Sequence, residues 1–214
     1  MYTHSLRTDY AQIEIKKKGL IKGDYMKSIL ICNQKGGVGK TMISDEIAFA
    51  LERDGVPFNF YDLDEQGSAI HTTETNPDAE ISVIDTPGYL QDNLIEWIDK
   101  ADFVIIPTLM STRDIGPLER MIKILKPYMD KKPVLFIFNR WNRFNVSKDF
   151  ISWFEAEYPN LRTFTICDSV IFNFAAAHGK SVCECKPESQ AATQIDNLYN
   201  CIRYELNLKT GRRE

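Results

Sequence analysis

The stretch Asn33-Gln34-Lys35-Gly36-Gly37-Val38-Gly39-Lys40-Thr41 decides how the rest of this 214-residue chain is interpreted. It follows the apolar run 28–32, which is typical of a buried parallel strand. Residues 42–53 come next, and their apolar side chains recur at the spacing of a helix. The glycines therefore lie between a strand and a helix, where free backbone N–H groups and the helix dipole favour a phosphate.

The residues of this stretch have separate expected roles at a nucleoside phosphate. The glycines allow the backbone to approach the anion without a Cβ in the way. Lys40 is expected to reach the β- and γ-phosphates, and the Thr41 hydroxyl is expected to hold Mg²⁺. A glycine-rich turn flanked by surface lysines is the alternative. The predicted nucleotide-binding residues of the stretch and its helix are Gly36, Gly37, Val38, Gly39, Lys40, Thr41 and Met42.

One feature of the stretch is a second lysine, Lys35, and another is Gln34 where the general P-loop pattern has glycine. This is the deviant Walker A form, and in it the chain resembles the ParA/MinD family of ATPases, most closely the short plasmid-partition ParA proteins. The resemblance covers residues 27 to about 206. In that family the lysine at the place of Lys35 crosses into the partner subunit and touches its phosphates. The resemblance therefore implies a catalytic role for Lys35 and a homodimer in the ATP state.

Two acidic residues, Asp62 and Asp64, follow the second predicted strand, residues 57–63. They are expected at the carboxyl edge of the sheet, where ligands of open α/β sheets bind, with both side chains on one face. The run Asp62-Leu-Asp-Glu-Gln resembles the family motif Asp-x-Asp-Pro-Gln, with Glu65 in place of proline. By that resemblance Asp64 would orient the attacking water and Asp62 would bind Mg²⁺ through water. A polar turn at the strand end is the alternative.

The third and fifth predicted strands also end in polar residues. Asp85 ends the strand 81–85 in the Walker B arrangement, whose carboxylate helps to hold Mg²⁺. Asn139 follows the strand 133–138, where the family places an asparagine against the nucleotide base. A turn residue at the strand end is an equally good interpretation of Asn139. Recognition of guanine by a GTPase would need Asn-Lys-x-Asp, but residues 139–142 are Asn-Arg-Trp-Asn, which favours adenine and hence ATP.

The rest of the chain continues the alternation of strands and helices. Six strands alternating with helices predict an α/β fold, a mostly parallel sheet flanked by helices on both faces. We expect a single P-loop ATPase domain over residues 26–208, a flexible extension over 1–25 and a short basic tail over 209–214. The predicted strands are 28–32, 57–63, 81–85, 101–108, 133–138 and 161–167. The predicted helices are 42–53, 90–100, 111–126, 146–158, 170–178 and 189–206.

Charge and composition restrict the possible partners and compartments. The net charge of −4 does not indicate a nucleic-acid binder, so any DNA-binding surface must be local. No apolar run approaches the roughly 18 residues that span a bilayer, and the N-terminus lacks the apolar core of a signal peptide. Five cysteines fit a reducing compartment. We expect a cytoplasmic protein, with nucleoid association implied by the resemblance.

The resemblance also implies partners. ATP dimers of the short ParA proteins bind DNA nonspecifically, and a centromere-binding, ParB-like protein stimulates hydrolysis. The main alternative is a membrane-positioning ATPase like MinD, which needs a terminal amphipathic helix that inserts in the interface. The last predicted helix is amphipathic but stops before the tail, which is short and basic and has no apolar residue after Leu208, and this argues against a membrane. A metabolic relative with a cysteine-bound cluster and a non-enzymatic protein with a relict P-loop are further alternatives. The candidate DNA-contacting residues are Arg140, Arg143, Lys148, Lys180, Lys186 and Arg203.

Overall fold

A computed structural model describes residues 26–64, 69–88 and 94–209 of the chain. Within them six strands form one parallel sheet in the order β2-β3-β1-β4-β5-β6. The strands are β1 Lys27–Ile31, β2 Phe58–Asp62, β3 Ile81–Asp85, β4 Phe103–Thr108, β5 Val134–Trp141 and β6 Thr163–Cys167. The helices are α1 Lys40–Asp54, α2 Leu94–Lys100, α3 Thr112–Leu125, α4 Asn145–Glu157, α5 Ile171–Ala177, α6 Val182–Cys185 and α7 Gln190–Leu206.

Helices cover both faces of the sheet, which confirms the predicted fold class. Successive side chains of the central strand β1 point to opposite faces, so Ile29 and Ile31 pack in one core while Leu30 packs in the other. The first core includes buried residues of α1 and α7, and the second includes those of α2, α3 and α4. Because both faces are buried, the strands are continuous apolar runs.

Three differences from the predicted elements bear on the site and its surroundings. β2 ends at Asp62, so Asp64 lies beyond the strand. The alternation of side chains along a strand therefore does not determine where the side chain of Asp64 points. β5 runs on to Trp141 through an irregularity after Phe138. Helix α6 was not predicted, because four residues are too few to show a helical period. The predictions for residues 1–25, 65–66, 89–93 and 210–214 lie outside the described residues.

The chain order places the crevice of the sheet beside the P-loop. β1 lies between β3 and β4, so the connections that leave β1 and β3 reach strands on opposite sides of it. Ligands of open α/β sheets bind at such a switch point, at the carboxyl ends of the strands. Ile31 at the end of β1 is in register with Asp85, which in turn is in register with Asp62. The P-loop and two predicted metal ligands therefore meet at one edge.

Candidate functional site

The P-loop connects β1 to α1, as the sequence predicts. Gly37 and Gly39 have φ angles of +73° and +96°, which side chains with a Cβ rarely adopt. Gly39 is the N-cap of α1, and no side chain caps that end. The N–H groups of the first helical turn are thus available to an anion, and the positive end of the helix dipole favours one. The loop has the backbone geometry of a phosphate site.

Asn139 packs against the P-loop from the end of β5. Its Nδ2 donates to the carbonyl oxygen of Val38 at 2.9 Å, and its Oδ1 accepts the N–H of Arg140 at 2.9 Å. The side chain is 2% exposed, and a Cβ on Gly39 would lie 2.1 Å from Nδ2. The amide thus holds the backbone of the phosphate loop. Contact of Asn139 with an adenine base stays a prediction.

Lys40 lies beneath the loop in an acidic and largely dry setting. The residue is 6% exposed, and Nζ lies 3.4 Å from the carbonyl oxygen of Lys35. Burial lowers the pKa of the Lys40 ammonium, and the charges of Asp85 and Asp64 act in the opposite direction. A cation so placed is a suitable partner for the oxygens of a bound polyphosphate.

Lys35 reaches away from the loop to helix α3. Its Nζ lies 2.5 Å from Oδ1 of Asp114 and 3.4 Å from the carbonyl oxygen of Arg113. Asp114 is 1% exposed and also accepts a short hydrogen bond from the hydroxyl of Ser111. The two lysines of the loop therefore have different surroundings. Lys40 lies beneath the loop among acids, whereas the side chain of Lys35 contacts α3. Asp114 was missed by sequence reasoning, because a single acid in an amphipathic helix gives no local signal.

Asp85 is the most deeply buried acid of the site. It is fully buried, and neither carboxylate oxygen has a hydrogen-bond partner within the described part of the chain. The hydroxyls of Thr41 and Ser44 lie close enough to favour its charged form, although neither makes a hydrogen bond of ordinary geometry to it. Burial dominates and raises the pKa of Asp85 to about 6. Such an unpartnered carboxylate suits a cation.

Asp62 and Asp64 lie next to Asp85 along the same edge. Oδ1 of Asp62 accepts the backbone N–H of Asp64 at 2.9 Å. Burial and the nearby charge of Asp64 raise the pKa of Asp62, while that hydrogen bond acts against the shift. The structure therefore brings together the acids that the sequence singles out, although no group of three His, Cys, Asp or Glu among the described residues could hold a metal alone.

The donor set fits Mg²⁺ in character. Mg²⁺ prefers oxygen ligands, keeps several waters and is bound through one or two carboxylates together with substrate phosphates. The orphaned oxygens of Asp85, beside the Thr41 side chain at the first turn of α1, provide such oxygens next to a phosphate site. Asp62 is in register with Asp85 on the neighbouring strand and is the next acid along this edge.

Two buried acids of α1 were also missed. Glu46 accepts hydrogen bonds from Oγ of Ser181 at 2.6 Å and from the N–H of Val182 at 3.0 Å, and burial raises its pKa. Asp45 binds the segment that follows β2. Both fasten the phosphate-site helix to distant parts of the chain. Their position on the buried side of an apolar helix pattern was the available signal.

The candidate DNA-contacting residues are divided between two places. Arg140, Arg143 and Lys148 are exposed at the end of β5 and the start of α4, near the edge that carries the site. Lys180 and Lys186 are exposed on either side of α6. The remaining candidate, Arg203, lies 3.3 Å from a carboxylate oxygen of Asp54, so its charge is already paired.

Among the described residues, no helix is both long and apolar enough to cross a membrane.

Comparison with known proteins gives one match by sequence and several by structure. Residues 29–182 match the family model described as the CobQ/CobB/MinD/ParA nucleotide binding domain. No curated protein matches the chain significantly.

Three solved structures show the same fold at low sequence identity. McdA from Cyanothece, as a variant in complex with ATP, is 18% identical with a TM-score of 0.71, over 89% of this chain and 100% of that one. MinD from Pyrococcus horikoshii, complexed with Mg-ADP, is 16% identical with a TM-score of 0.63, over 82% and 95%. A plasmid partition protein from Borrelia burgdorferi is 15% identical with a TM-score of 0.62, over 86% and 99%.

Proposed function

The chain belongs to the CobQ/CobB/MinD/ParA nucleotide-binding family, and on that basis we propose that it is a dimerising Mg-ATP-dependent ATPase that drives DNA partition. Nucleotide state would switch nonspecific DNA binding, and a ParB-like centromere-binding protein would stimulate hydrolysis. The observation that carries the proposal is the pair of lysines in one phosphate loop, with Lys40 buried beneath it and Lys35 extending to α3. A P-loop ATPase that works alone has no need of the second lysine.

In the proposed reaction the protein positions ATP and a water and balances their charge. Backbone N–H groups of the P-loop and the Lys40 ammonium hold the β- and γ-phosphates. Asp64 orients the attacking water, and Thr41, Asp85 and Asp62 would hold the metal. Mg²⁺, when bound there, neutralises charge on the phosphate oxygens. The burial of Lys40 supports this assignment, because electrostatic interactions are stronger where water is excluded.

Dimerisation would require Lys35 to leave its present partner. The ion pair with buried Asp114 holds the side chain within its own subunit, whereas the proposed ATP dimer needs it at the partner's phosphates. The two arrangements compete, so their difference in free energy sets how readily the dimer forms. This competition makes opposite predictions for the two partners of the ion pair.

Replacing Lys35 with alanine is expected to weaken ATP-induced dimerisation by about tenfold, because the dimer loses the contact of Lys35 with the partner's phosphates. Truncating one partner of such a charge pair costs roughly 2–5 kcal/mol, and loss of the competing ion pair with Asp114 in the monomer offsets part of that cost. ATP binding by the monomer should change little. Asp114→Asn, which releases Lys35, should strengthen dimerisation. Sedimentation velocity with a non-hydrolysable ATP analogue measures the dimer, and calorimetry measures nucleotide affinity. Equal losses of dimerisation and nucleotide affinity in Lys35→Ala would contradict the assignment.

Binding to nonspecific duplex DNA tests the partition function most directly. We expect the ATP form to bind about tenfold or more tightly than the ADP or nucleotide-free form. Affinity should fall steeply with salt, because phosphate contacts release counterions. The Lys40→Ala variant should lose the increase in DNA affinity that ATP produces in the wild type. Anisotropy of labelled DNA at two salt concentrations provides the measurement.

Charge-neutralised variants locate the DNA surface. Combined replacement of Arg140, Arg143 and Lys148 by glutamine should weaken binding. The same change at three exposed lysines at and beyond the end of α3, Lys123, Lys126 and Lys131, is the matched control. An absence of DNA binding in every nucleotide state, with turnover intact, would argue against partition. It would favour the MinD-like alternative, for which ATP-dependent co-sedimentation with liposomes is the test.

A further inference from the structure

A short segment that follows Asp62 and Asp64 in the chain lies along the outer edge of β2. Phe60 and Glu74 exchange two backbone hydrogen bonds, of 3.1 and 3.0 Å, in an antiparallel bridge. The N–H of Asn76 donates to Oδ1 of Asn59 at 2.6 Å. Since β2 is the last of the described strands on this side of the sheet, Glu74 pairs with an edge that would otherwise be open there. We call residues 69–76 the return segment.

Asp45 of the P-loop helix holds the start of the return segment. Its carboxylate accepts the backbone N–H groups of Ile70 and His71, each at 3.0 Å, and Nδ1 of His71 lies 2.8 Å from Oδ1. Asp45 is 5% exposed and lies four residues after Thr41, one turn further along α1. Hydrogen bonds to a buried carboxylate are among the stronger ones in proteins. The return segment is therefore fixed to the helix that begins at the phosphate site.

The contacts continue from the return segment to Asp64. Oγ1 of Thr73 accepts the N–H of Asp62 at 3.1 Å and lies 3.3 Å from the carbonyl oxygen of Asp62, to which it can donate. Oδ1 of Asp62 accepts the N–H of Asp64. Hydrogen bonds and the short stretch of backbone from His71 to Thr73 thus join the P-loop helix to the backbone of Asp64, whose carboxylate would orient the water.

We propose that Asp45 and His71 form a clamp that positions Asp64 for the hydrolytic step, acting through Thr73 and Asp62. The inference rests on the proposed function, because it takes ATP hydrolysis with Asp64 at the attacking water as its reaction. Neither clamp residue touches the reacting atoms, so both are positioning residues. A displacement of about 1 Å at a reacting group can cost on the order of a hundredfold in rate, which makes such a clamp consequential.

The surroundings of His71 make the clamp sensitive to pH. The ring centroids of Phe49 and Phe60 lie 4.4 and 5.3 Å from the centroid of the imidazole. Oε1 of Glu52 lies 3.4 Å from Nε2 of His71. Burial by itself would lower the pKa of His71, but the hydrogen bond and charge of Asp45, together with Glu52, raise it above the ordinary value.

The charged form of His71 therefore strengthens the clamp. Two acids of α1, Asp45 and Glu52, face the imidazole. The residues of β2 that face it, Phe58 and Phe60, carry no ionisable group. The nearby acid of the return segment is Glu74. The charge-assisted contact is complete below the ordinary pKa of histidine. It weakens as pH rises through the raised value.

Asp45→Asn tests the clamp because it preserves the shape of the side chain and removes its charge. We expect kcat to fall about tenfold, while the affinity for a non-hydrolysable ATP analogue stays within about threefold. The ratio of wild-type to variant kcat should be larger at pH 6.5 than at pH 9. Glu52→Gln, which removes the more exposed and more distant partner of His71, is the matched control and should leave kcat within about twofold.

Thr73→Val supplies a second variant, since Thr73 is exposed and its replacement does not disturb the core. We expect kcat to fall about threefold with thermal stability unchanged. Unchanged kcat in both variants, or an equal loss of kcat and nucleotide affinity, would overturn the clamp. Wild-type turnover no higher than that of Lys40→Ala would instead overturn the proposed ATPase, and the clamp with it.

Discussion

Replacing Asp85 with asparagine is expected to stabilise the nucleotide-free protein and at the same time to abolish Mg²⁺-dependent ATP turnover. The stabilisation follows from the buried carboxylate, whose two oxygens have no hydrogen-bond partner in the described residues. Ionising such a group costs free energy that water no longer offsets. The loss of turnover follows from the proposed role of those oxygens as magnesium ligands.

The size of the stabilising effect follows from the pKa of Asp85. Burial raises that pKa from 3.8 to about 6, so the folded state binds the proton more tightly than the unfolded state does. Stability from this group is therefore full below pH 3.8 and is lost as pH rises through 6. About two pKa units at 1.36 kcal/mol each correspond to roughly 3 kcal/mol at pH 7.5. Because Lys40 loses a charge partner, we expect a net gain of about 1–3 kcal/mol.

Urea unfolding at pH 4 and pH 7.5, without nucleotide, measures this effect. The gain in the free energy of unfolding should appear at pH 7.5 and be small at pH 4. Asp102→Asn is the matched control, because Oδ2 of Asp102 accepts hydrogen bonds from the N–H and hydroxyl of Ser28, and its replacement should destabilise. An Asp85→Asn protein that is no more stable than wild type at pH 7.5, or that retains full turnover, would contradict the interpretation.

Gly39→Ala is expected to destabilise the protein severely and to disrupt the phosphate site. An alanine at φ +96° costs about 1–3 kcal/mol in backbone strain. Its Cβ would also lie 2.1 Å from Nδ2 of Asn139, so that amide must leave the carbonyl of Val38 and lose a buried hydrogen bond. That loss adds about 1–3 kcal/mol. The sum, roughly 2–6 kcal/mol, is a large part of the 5–15 kcal/mol by which a domain is usually stable.

The same loop contains the control for this prediction. A Cβ on Gly36 meets no atom within 4 Å, and its φ is not positive, so Gly36→Ala should leave the free energy of unfolding almost unchanged. In an Asn139→Ala background the hydrogen bond to Val38 is already absent, so adding Gly39→Ala to the Asn139→Ala single variant should cost only the backbone part. Thermal or urea unfolding without nucleotide measures the stability of the two glycine variants, the Asn139→Ala variant and the double variant against wild type. Equal stability of Gly36→Ala and Gly39→Ala would contradict the argument.

The sequence predicted the architecture and the edge on which the site lies. Apolar runs and helical spacings specify which segments are strands and helices, and the order of strands and helices confines the sheet to a parallel arrangement. The acid at the end of β3 and the glycines after β1 were therefore recognisable before any contact was known. Asn139 shows the limit of this reasoning, because a strand-end asparagine is compatible with both a base contact and a turn. Its bond to Val38 was visible only in the fold.

What the sequence determined by itself was local: the alternation of strands and helices, the phosphate loop and the acids that follow β2 and β3. Only the tertiary structure decided the partners of the polar residues. Lys35 and Asp114 are 79 positions apart, Glu46 and Ser181 are 135 apart, and Asp45 and His71 are 26 apart. The physical reason is that periodicity records which face of an element is buried. Which polar groups meet depends on how helices pack across the sheet, where most buried polar groups find a partner.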